Sequence, residues 1–543
     1  MTLKKDSLHR EICEDNNSCH NHIPVVTDPD VTVLYKLNEI NLLNDSEEKK
    51  YYDDNSSNCG GWTPLLILAG ITCCLGSAVP AGYNIGVMNN AAFIMQEFCN
   101  QSIEERFNIK ISLEGLNLLW STIVSIFLIG GVTGSLTSSL LADTVGRKSS
   151  LSIGNVCGIV GSVMFLLIPI LNSIELFLLG RLFVGLSGGL ATSLLPVYMT
   201  EIAPIRLRGA VGVLCQLGIT CGVLLGQVAG LDSVLGTKYY WNYMLAAFAP
   251  LCTMGLILTF FLPESPKYLF VVKEDSESAL EALSRFRNMD RMDLHNEIAN
   301  LEQELASKSV NSSWTIIRVL KEPTLRLPIL LVCLLQFGQQ LSGINVVFYY
   351  SDVIFKKAEL AIKTRQYATI GTGLVNVGMA ISSVYLMSRF RRRALLLTSI
   401  YTTIGCLIIL CASIALIDLP FMKWICIIAV LAYVLFYGIG LGPIPYFIGS
   451  ELFDVGPKSK AMSIGSVCNW GGNFIVGMTF TSMQKVLNSY SFLIFAACIL
   501  FLALFCRKYL PETRDKTTSE IAALITQGLK SRPNEENSDI IIT

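Results

Sequence analysis

The chain has 543 residues, of which 52% are hydrophobic and only 15% charged, and its mean hydropathy is +0.52. Soluble globular chains carry about 25% charged residues, so the composition points to lipid surroundings. A balance of 41 basic against 42 acidic residues argues against a nucleic-acid partner, four histidines (three of them before residue 23) argue against a buried histidine metal or acid–base site, and the absence of a G-x-x-x-x-G-K-[ST] run leaves no nucleotide or other cofactor called for.

Residues 1–63 carry 12 acidic and 6 basic side chains and lack the apolar core of a secretory signal, so a disordered tail is expected. Its Cys13, Cys19, His20 and His22 are too irregularly spaced to read as a metal site. Most of the 17 cysteines, among them Cys73, Cys157 and Cys411, fall in apolar runs and read as small buried hydrophobes. Twelve runs of bilayer-crossing length follow, spans 1 to 12, at about 64–88, 116–141, 151–171, 176–199, 210–231, 243–262, 326–350, 366–388, 394–417, 424–449, 461–483 and 486–506. The expectation is an all-α membrane protein. An N-terminal six-helix bundle covers 64–262, a helical linker domain 263–325, a C-terminal six-helix bundle 326–507, and a second tail 508–543.

Basic residues in short loops set the orientation. Arg147 and Lys148 follow span 2, Arg206 and Arg208 follow span 4, and Arg389, Arg391, Arg392 and Arg393 follow span 8; they put these loops, the linker and both termini in the cytoplasm. Asn100-Gln101-Ser102, in the loop after span 1, is then an outward-facing glycosylation acceptor, while the sequons at Asn16, Asn44, Asn55 and Asn311 face the cytoplasm and stay silent. Arg181 is the one ionised side chain placed in a span core, where a charge costs about 2.5–3.5 kcal/mol on insertion scales.

The chain repeats itself. Pro263-Glu264-Ser265 returns as Pro511-Glu512-Thr513 at an offset of 248, Glu201 with Arg208 returns as Glu451 with Lys458 at 250, and Arg147-Lys148 returns as Arg392-Arg393 at 245. Offsets this similar imply two six-helix halves in parallel repeat. In the linker, Leu294, Ile298, Leu301 and Leu305 make an amphipathic stripe, with Ser276 and Asp290 as candidate N-caps. The stripe reads first as a packing surface and second as a partner site.

Repeat carriers without a nucleotide motif bind solute near the midplane, between the halves and beside interrupted helices. Span 7 places Gln336, Gln339 and Gln340 on one helical face, and Gly343 can break the helix and turn Asn345 to the same side. Carboxamides both donate and accept, which suits a neutral polyhydroxyl ligand; helix–helix hydrogen bonding is the competing reading. Gln216 in span 5 sits on a helix with a glycine row (Gly218, Gly222, Gly226, Gly230) that reads as a close-packing face. Span 8 offers Asn376 and span 11 offers Asn469, Trp470 and Asn473; the indole can cover a sugar ring or simply pack. Gly438, Gly440, Gly442, Pro443 and Pro445 interrupt span 10.

These residues resemble the sugar porters of the major facilitator superfamily, above all the facilitative glucose transporters of animals, over about 62–525. The likeness rests on Asn84 and Gly86, Gly146-Arg147-Lys148, Glu201 with Arg208-Gly209, and Pro263-Glu264-Ser265-Pro266-Lys267. It continues in Gln339-Gln340-Leu341-Ser342-Gly343-Ile344-Asn345, Gly442-Pro443-Ile444-Pro445, Asn469-Trp470 and Pro511-Glu512-Thr513. It implies two six-helix bundles, a four-part cytoplasmic helical domain and alternating access. It also implies hexose contacts from Gln216, Gln339, Gln340, Asn345 and Asn376, and a cytoplasmic gate of Arg147, Glu201, Arg208, Glu264, Arg392 and Glu451. Three departures bear on affinity, inhibitor response and selectivity. Gly438 and Tyr446 stand where glucose-selective members carry glutamate and tryptophan. Gln336-Phe337-Gly338 replaces Gln-Leu-Ser. Ser388-Arg389-Phe390-Arg391 replaces Glu-Arg-x-Gly, so the second half of the gate is expected to lack an acid.

Proton-coupled relatives carry aspartate where this chain has Asn84. Spans 1, 5, 7, 8, 10 and 11 have no Asp, Glu or His in their cores, and coupling needs a group that titrates within the membrane. The sequence therefore reads as a plasma-membrane hexose uniporter, with glucose before galactose, mannose or fructose. A sugar sensor signalling through the N-terminal tail and a proton symporter are the alternatives.

Overall fold

In the computed structural model, residues 61–533 are described apart from 89–91, 295–296, 300, 303–304, 306–313, 348–361, 420, 517, 526–527 and 532. The acidic tail, with its cysteines, histidines and three sequons, and Asn311 lie outside the described residues. Residues 60–543 form one compact unit, and its described residues are helical, with no strand among them.

Among the described residues, eleven helices are long and apolar enough to cross a bilayer. They are spans 1 to 10, at Pro64–Gly86, Leu113–Thr144, Arg147–Leu171, Ile174–Ile202, Ile205–Ala229, Trp241–Thr259, Pro323–Val347, Tyr367–Arg389, Arg392–Ala415 and Met422–Leu452, together with span 12, whose helix covers Ser491–Tyr509. Span 11, Val455–Leu487, is the longest helix among the described residues but also a polar one, and its Ser459, Ser463, Ser466, Asn469 and Asn473 are buried against other protein. On the outside, Ile129, Leu140, Ile170, Ile409 and Phe501 are exposed, as a lipid-facing surface requires.

The helix starts follow from local chemistry. Thr63, Ser112 and Ser173 each cap a span by accepting a first-turn amide hydrogen. Thr63 also donates to the carbonyl of Phe286 at 2.7 Å, which ties span 1 to the linker. The linker helix is Ser276–Arg287. Its N-cap is Asp275, not Ser276, because the Asp275 carboxylate accepts from the Ser278 amide. The apolar stripe behaves as expected: Leu294 and Leu301 are buried with Phe270, Val271, Ala279 and Leu283, and Ile298 and Leu305 pack alongside. The segment after span 1, read as a loop around Asn100, is a helix over Ala92–Phe107, and Asn100 is half-buried on it.

Spans 5 and 6 have short interruptions at Val213 and Ala247–Phe248, and spans 1, 7 and 10 are irregular where the sequence has small residues or proline. Span 1 widens into a π turn at Cys74–Ala78. Span 7 stops at Gln340, turns through Gly343 at a φ of +85° that favours glycine, and resumes. Span 10 stops at Ile439 and restarts at Ile444. The two halves meet where span 2 packs on span 11 and span 5 on span 8. Within the first half, the glycine row of span 5 lies directly on span 1, so a Cβ at Gly222 would overlap the Val79 carbonyl oxygen. Gly222→Ala should therefore force these helices apart. We expect a stability loss of about 1–3 kcal/mol, read as a lower thermal unfolding midpoint of the purified protein.

Candidate functional site

Between the two halves lies a polar cavity lined from spans 1, 4, 5, 7, 8, 10 and 11. Gln216, Gln340, Asn345, Asn376, Tyr446, Trp470 and Asn473 all border it, with Asn469 beside them. Gln339 does not; it sits fully buried behind Gln340. The glutamine face of span 7 is thus divided. Gln336 donates to the Pro445 carbonyl at 2.8 Å, and Gln339 donates to the carbonyls of Gly442 at 2.6 Å and Leu441 at 3.3 Å. These are the main-chain acceptors exposed by the break in span 10. Asn469 joins the set by donating to both glutamine oxygens. Gln340 donates to the Asn469 oxygen at 3.0 Å and accepts from Asn345 at 2.5 Å, which holds its amide at the cavity wall.

Trp470 has two roles. Its ring stands edge-on to Phe127 and presses against Gly131 of span 2, while its Nε1 donates to Thr192 Oγ1 at 3.0 Å across the halves. The Oδ1 atoms of Asn376 and Asn473 have no protein partner among the described residues, although both side chains are 3% exposed. Buried amide oxygens are paired in nearly all proteins, so these two are open acceptors at the cavity wall. Thr192 and Tyr437 line the cavity too, and the latter shares a hydrogen bond with Gln339. No signal in the sequence marks them: a threonine or tyrosine in an apolar helix is ordinary. At Gly438 a side chain would meet Met379 Cβ at 2.7 Å, so span 8 has closed the space beside the missing glutamate.

At the linker side the halves carry the same construction twice. Arg147 is wholly buried, pairs with Glu201 at 3.1 Å and donates to the Ala142 carbonyl; Ser265 donates to Glu201 at 2.6 Å. Glu264 accepts from the amides of Arg147, Lys148 and Ser265, capping span 3 in place of a local side chain. Burial pushes the Glu264 carboxyl above its usual range, against the pull of those amides and of Arg147. In the second half Arg392 lies 3.7 Å from Glu451 and donates to the Met387 carbonyl, Thr513 donates to Glu451, and Glu512 caps span 9 through the amides of Arg392 and Arg393. Glu451 and Glu512 thus repeat Glu201 and Glu264, whereas Asp143, which pairs with Arg147 and Lys460 in the first half, has only Ser388 as its counterpart. The halves are cross-linked by Arg147 to Ser459 at 3.4 Å, Lys460 to Asp143, and Ser135 to Ser466 at 2.8 Å. Lys458 acts electrostatically on Glu201, and Arg208 on Glu451, each across the halves.

Two six-helix halves around an uncharged polar cavity, tied together at one end by ionic clusters, define a membrane solute carrier. The chain belongs to the sugar transporter family: the family described as "Sugar (and other) transporter" matches residues 69–525. It is 38% identical over 462 residues to mouse "Solute carrier family 2, facilitated glucose transporter member 3", covering 85% of this chain and 92% of the relative. It is 36% identical over 475 residues to chicken member 1 (87% and 96%) and 37% identical over 469 residues to horse member 5 (86% and 93%). Among solved structures, the major facilitator proton:xylose symporter XylE bound to 6-bromo-6-deoxy-D-glucose superposes with a TM-score of 0.74 at 23% identity, over 86% of this chain and all of that one. This second likeness is one of fold.

Gln339→Leu should orphan the Leu441 and Gly442 carbonyls and cost about 1–3 kcal/mol of stability, measured by thermal unfolding. Glu512→Ala should uncap span 9 at a cost of about 0.5–2 kcal/mol in the same measurement, with Glu512→Gln recovering much of it.

Proposed function

We propose that this chain is a facilitative hexose uniporter, with D-glucose as its first substrate, in the plasma membrane with the linker and both termini cytoplasmic. The observation that carries the reading is the cavity itself. It is bordered by Gln216, Gln340, Asn345, Asn376 and Asn473, contains no ionised side chain, and presents two unpartnered amide oxygens. A sugar brings hydroxyl donors to those oxygens and hydroxyl acceptors to the Gln340 amide, and it needs no countercharge. Trp470 and Tyr446 offer apolar ring faces for its C–H surface. Gln339 belongs to the site indirectly, by fixing the broken backbone of span 10. The names of the relatives, facilitated glucose transporters, support the same substrate class.

Uniport is favoured by Asn84 and Arg181. The Arg181 guanidinium donates to the main-chain oxygen of Asn84 at 3.1 Å and lies 4.4 Å over the Phe127 ring. The main-chain oxygens of Asn84 and Ile123 and this aromatic face meet its charge without taking up a proton. Release toward the cytoplasm then requires the cross-links at the linker side to part while Arg147–Glu201 and Arg392–Glu451 stay within their own halves. That is the gate role we assign to Arg147, Glu201, Arg208, Glu264, Arg392 and Glu451. In this orientation Asn100 faces outward as the glycosylation acceptor.

The test is radiolabelled glucose uptake into proteoliposomes without an ion gradient. Saturable uptake, lost at least tenfold in Gln340→Ala while the unfolding midpoint stays close to wild type, is the expected outcome. Internal acidification on sugar entry would replace uniport by proton symport. Sugar binding without flux would favour the sensor.

A further inference from the structure

The internal repeat gives the second half a built-in control, and one surface departs from it. The loop after span 8 with the exit of span 12, residues 388–393 and 507–516, holds eight basic and two acidic residues. The repeat-related segments of the first half, 143–148 and 259–268, hold three basic and two acidic residues. Both halves make the same arginine–glutamate pair and the same glutamate cap. The fold and the gate therefore need only the smaller set. The extra cations stand where the first half has Thr144 (Arg389), Gly146 (Arg391), Thr259 (Arg507), Phe260 (Lys508), Pro266 (Arg514) and Tyr268 (Lys516).

These cations are gathered in space. Arg393 donates to the Arg507 carbonyl at 2.6 Å, and Arg514 reaches the carbonyls of Arg389 and Ser388, so loop and span exit form one surface. The two carboxylates leave a surplus of six positive charges among these segments: Glu512 is engaged by the backbone amides of Arg392 and Arg393, and Asp515 pairs with Arg514 at 2.9 Å. Arg389, Arg391, Arg507 and Lys508 are exposed. Aromatic rings border them at the membrane boundary: Arg389 lies over Tyr385, Lys508 over Tyr509, and Phe390 is 51% exposed. Aromatic side chains of this kind settle at headgroup depth.

We propose that this corner of the linker-side face binds the headgroup of an anionic phospholipid from the adjacent leaflet. Guanidinium forks match phosphate oxygens in pairs, and the rings anchor the corner where those phosphates lie. The binding does not depend on which sugar is carried or whether protons are coupled to it.

The experiment places the full chain in phosphatidylcholine nanodiscs and titrates fluorescent phosphatidylinositol 4-phosphate into them. The wild type is compared with an Arg389→Gln/Arg391→Gln/Arg507→Gln variant and with Lys110→Gln, a change at an exposed cation on the opposite face. We expect saturable binding that the triple variant weakens on the order of a hundredfold, about fivefold per cation, and that Lys110→Gln leaves unchanged. An unchanged unfolding midpoint of the triple variant in pure phosphatidylcholine shows that the loss is not misfolding. A second variant, Arg391→Gln alone, should give the fivefold loss and covers the case in which the triple variant fails to fold. Equal binding by wild type and Arg391→Gln, or an equal loss in Lys110→Gln, would overturn the proposal.

Discussion

The structure depends on one constraint: inside a bilayer every main-chain polar group needs a partner, and spans 7 and 10 are broken beside the cavity. The interruptions at Gly343 and at Gly440–Pro443 are what give the cavity its shape, since they let Asn345, Tyr437 and Tyr446 approach the same volume. Each break is then repaired from a neighbouring span. Tyr433 donates to the Ser342 carbonyl at 2.9 Å, Ser399 accepts the Leu441 amide and donates to the Phe436 carbonyl, and Gln336 and Gln339 cover three more carbonyls. A polar contact between membrane helices is worth about 0.6 kcal/mol on average, whereas an unsatisfied group in hydrocarbon costs several. The carboxamides are thus required by what their absence would cost. Their net contribution to helix association is minor.

This accounts for how far the sequence could be read. Hydropathy placed eleven of the twelve spans close to where the helices lie, because lipid imposes length and composition directly; span 11 is a helix there too, but a more polar one. The repeat offsets placed the buried ionic clusters, because duplicated halves must duplicate their caps. The three glutamines were legible as a polar face but not as two groups. Periodicity puts Gln336, Gln339 and Gln340 side by side, and only the position of span 10 turns the first two toward its carbonyls and leaves the third at the cavity. Thr192 was invisible for a related reason: its hydroxyl back-bonds to Gly188 at 3.0 Å as most helical threonines do, and its contact with Trp470 arises between halves. The acid missing from the loop after span 8 was sought at the position matching Asp143. Ser388 holds that position, and Glu512 answers instead to Glu264, a match the Pro-Glu repeat records; that both cap the start of a span is visible only once the chain has folded back.

The same duplication explains how two bundles can be held together and still part. Arg147 and Glu201 are buried, and taking such ions out of water costs several kcal/mol each. Were they paired across the halves, opening would leave each alone. They are paired within a half, and what crosses the interface is lighter: a hydroxyl to a guanidinium, a hydroxyl to a hydroxyl, one lysine to Asp143, and the longer-range action of Lys458 and Arg208. Opening this end admits water to ions that keep their partners. The buried charges regain hydration as the cross-links are lost, so the two terms offset.

A carrier needs that balance more than it needs strength. If the closed end were stabilised by more than a few kcal/mol, the other state would be populated below one part in a thousand and turnover would fall with it. The cavity obeys the same logic. Its amides and hydroxyls already bond to one another where they can, through Gln340 with Asn345 and Asn469, and Trp470 with Thr192. A sugar entering must compete for those bonds, and when it leaves the side chains recover them. An uncharged, self-paired wall holds its ligand weakly enough to release it, and the Trp470–Thr192 bond spans the two halves that must separate. On the proposed function, a substrate that displaced this bond would loosen the interface from within the cavity, so recognition of the sugar would also lower the barrier to passing it on.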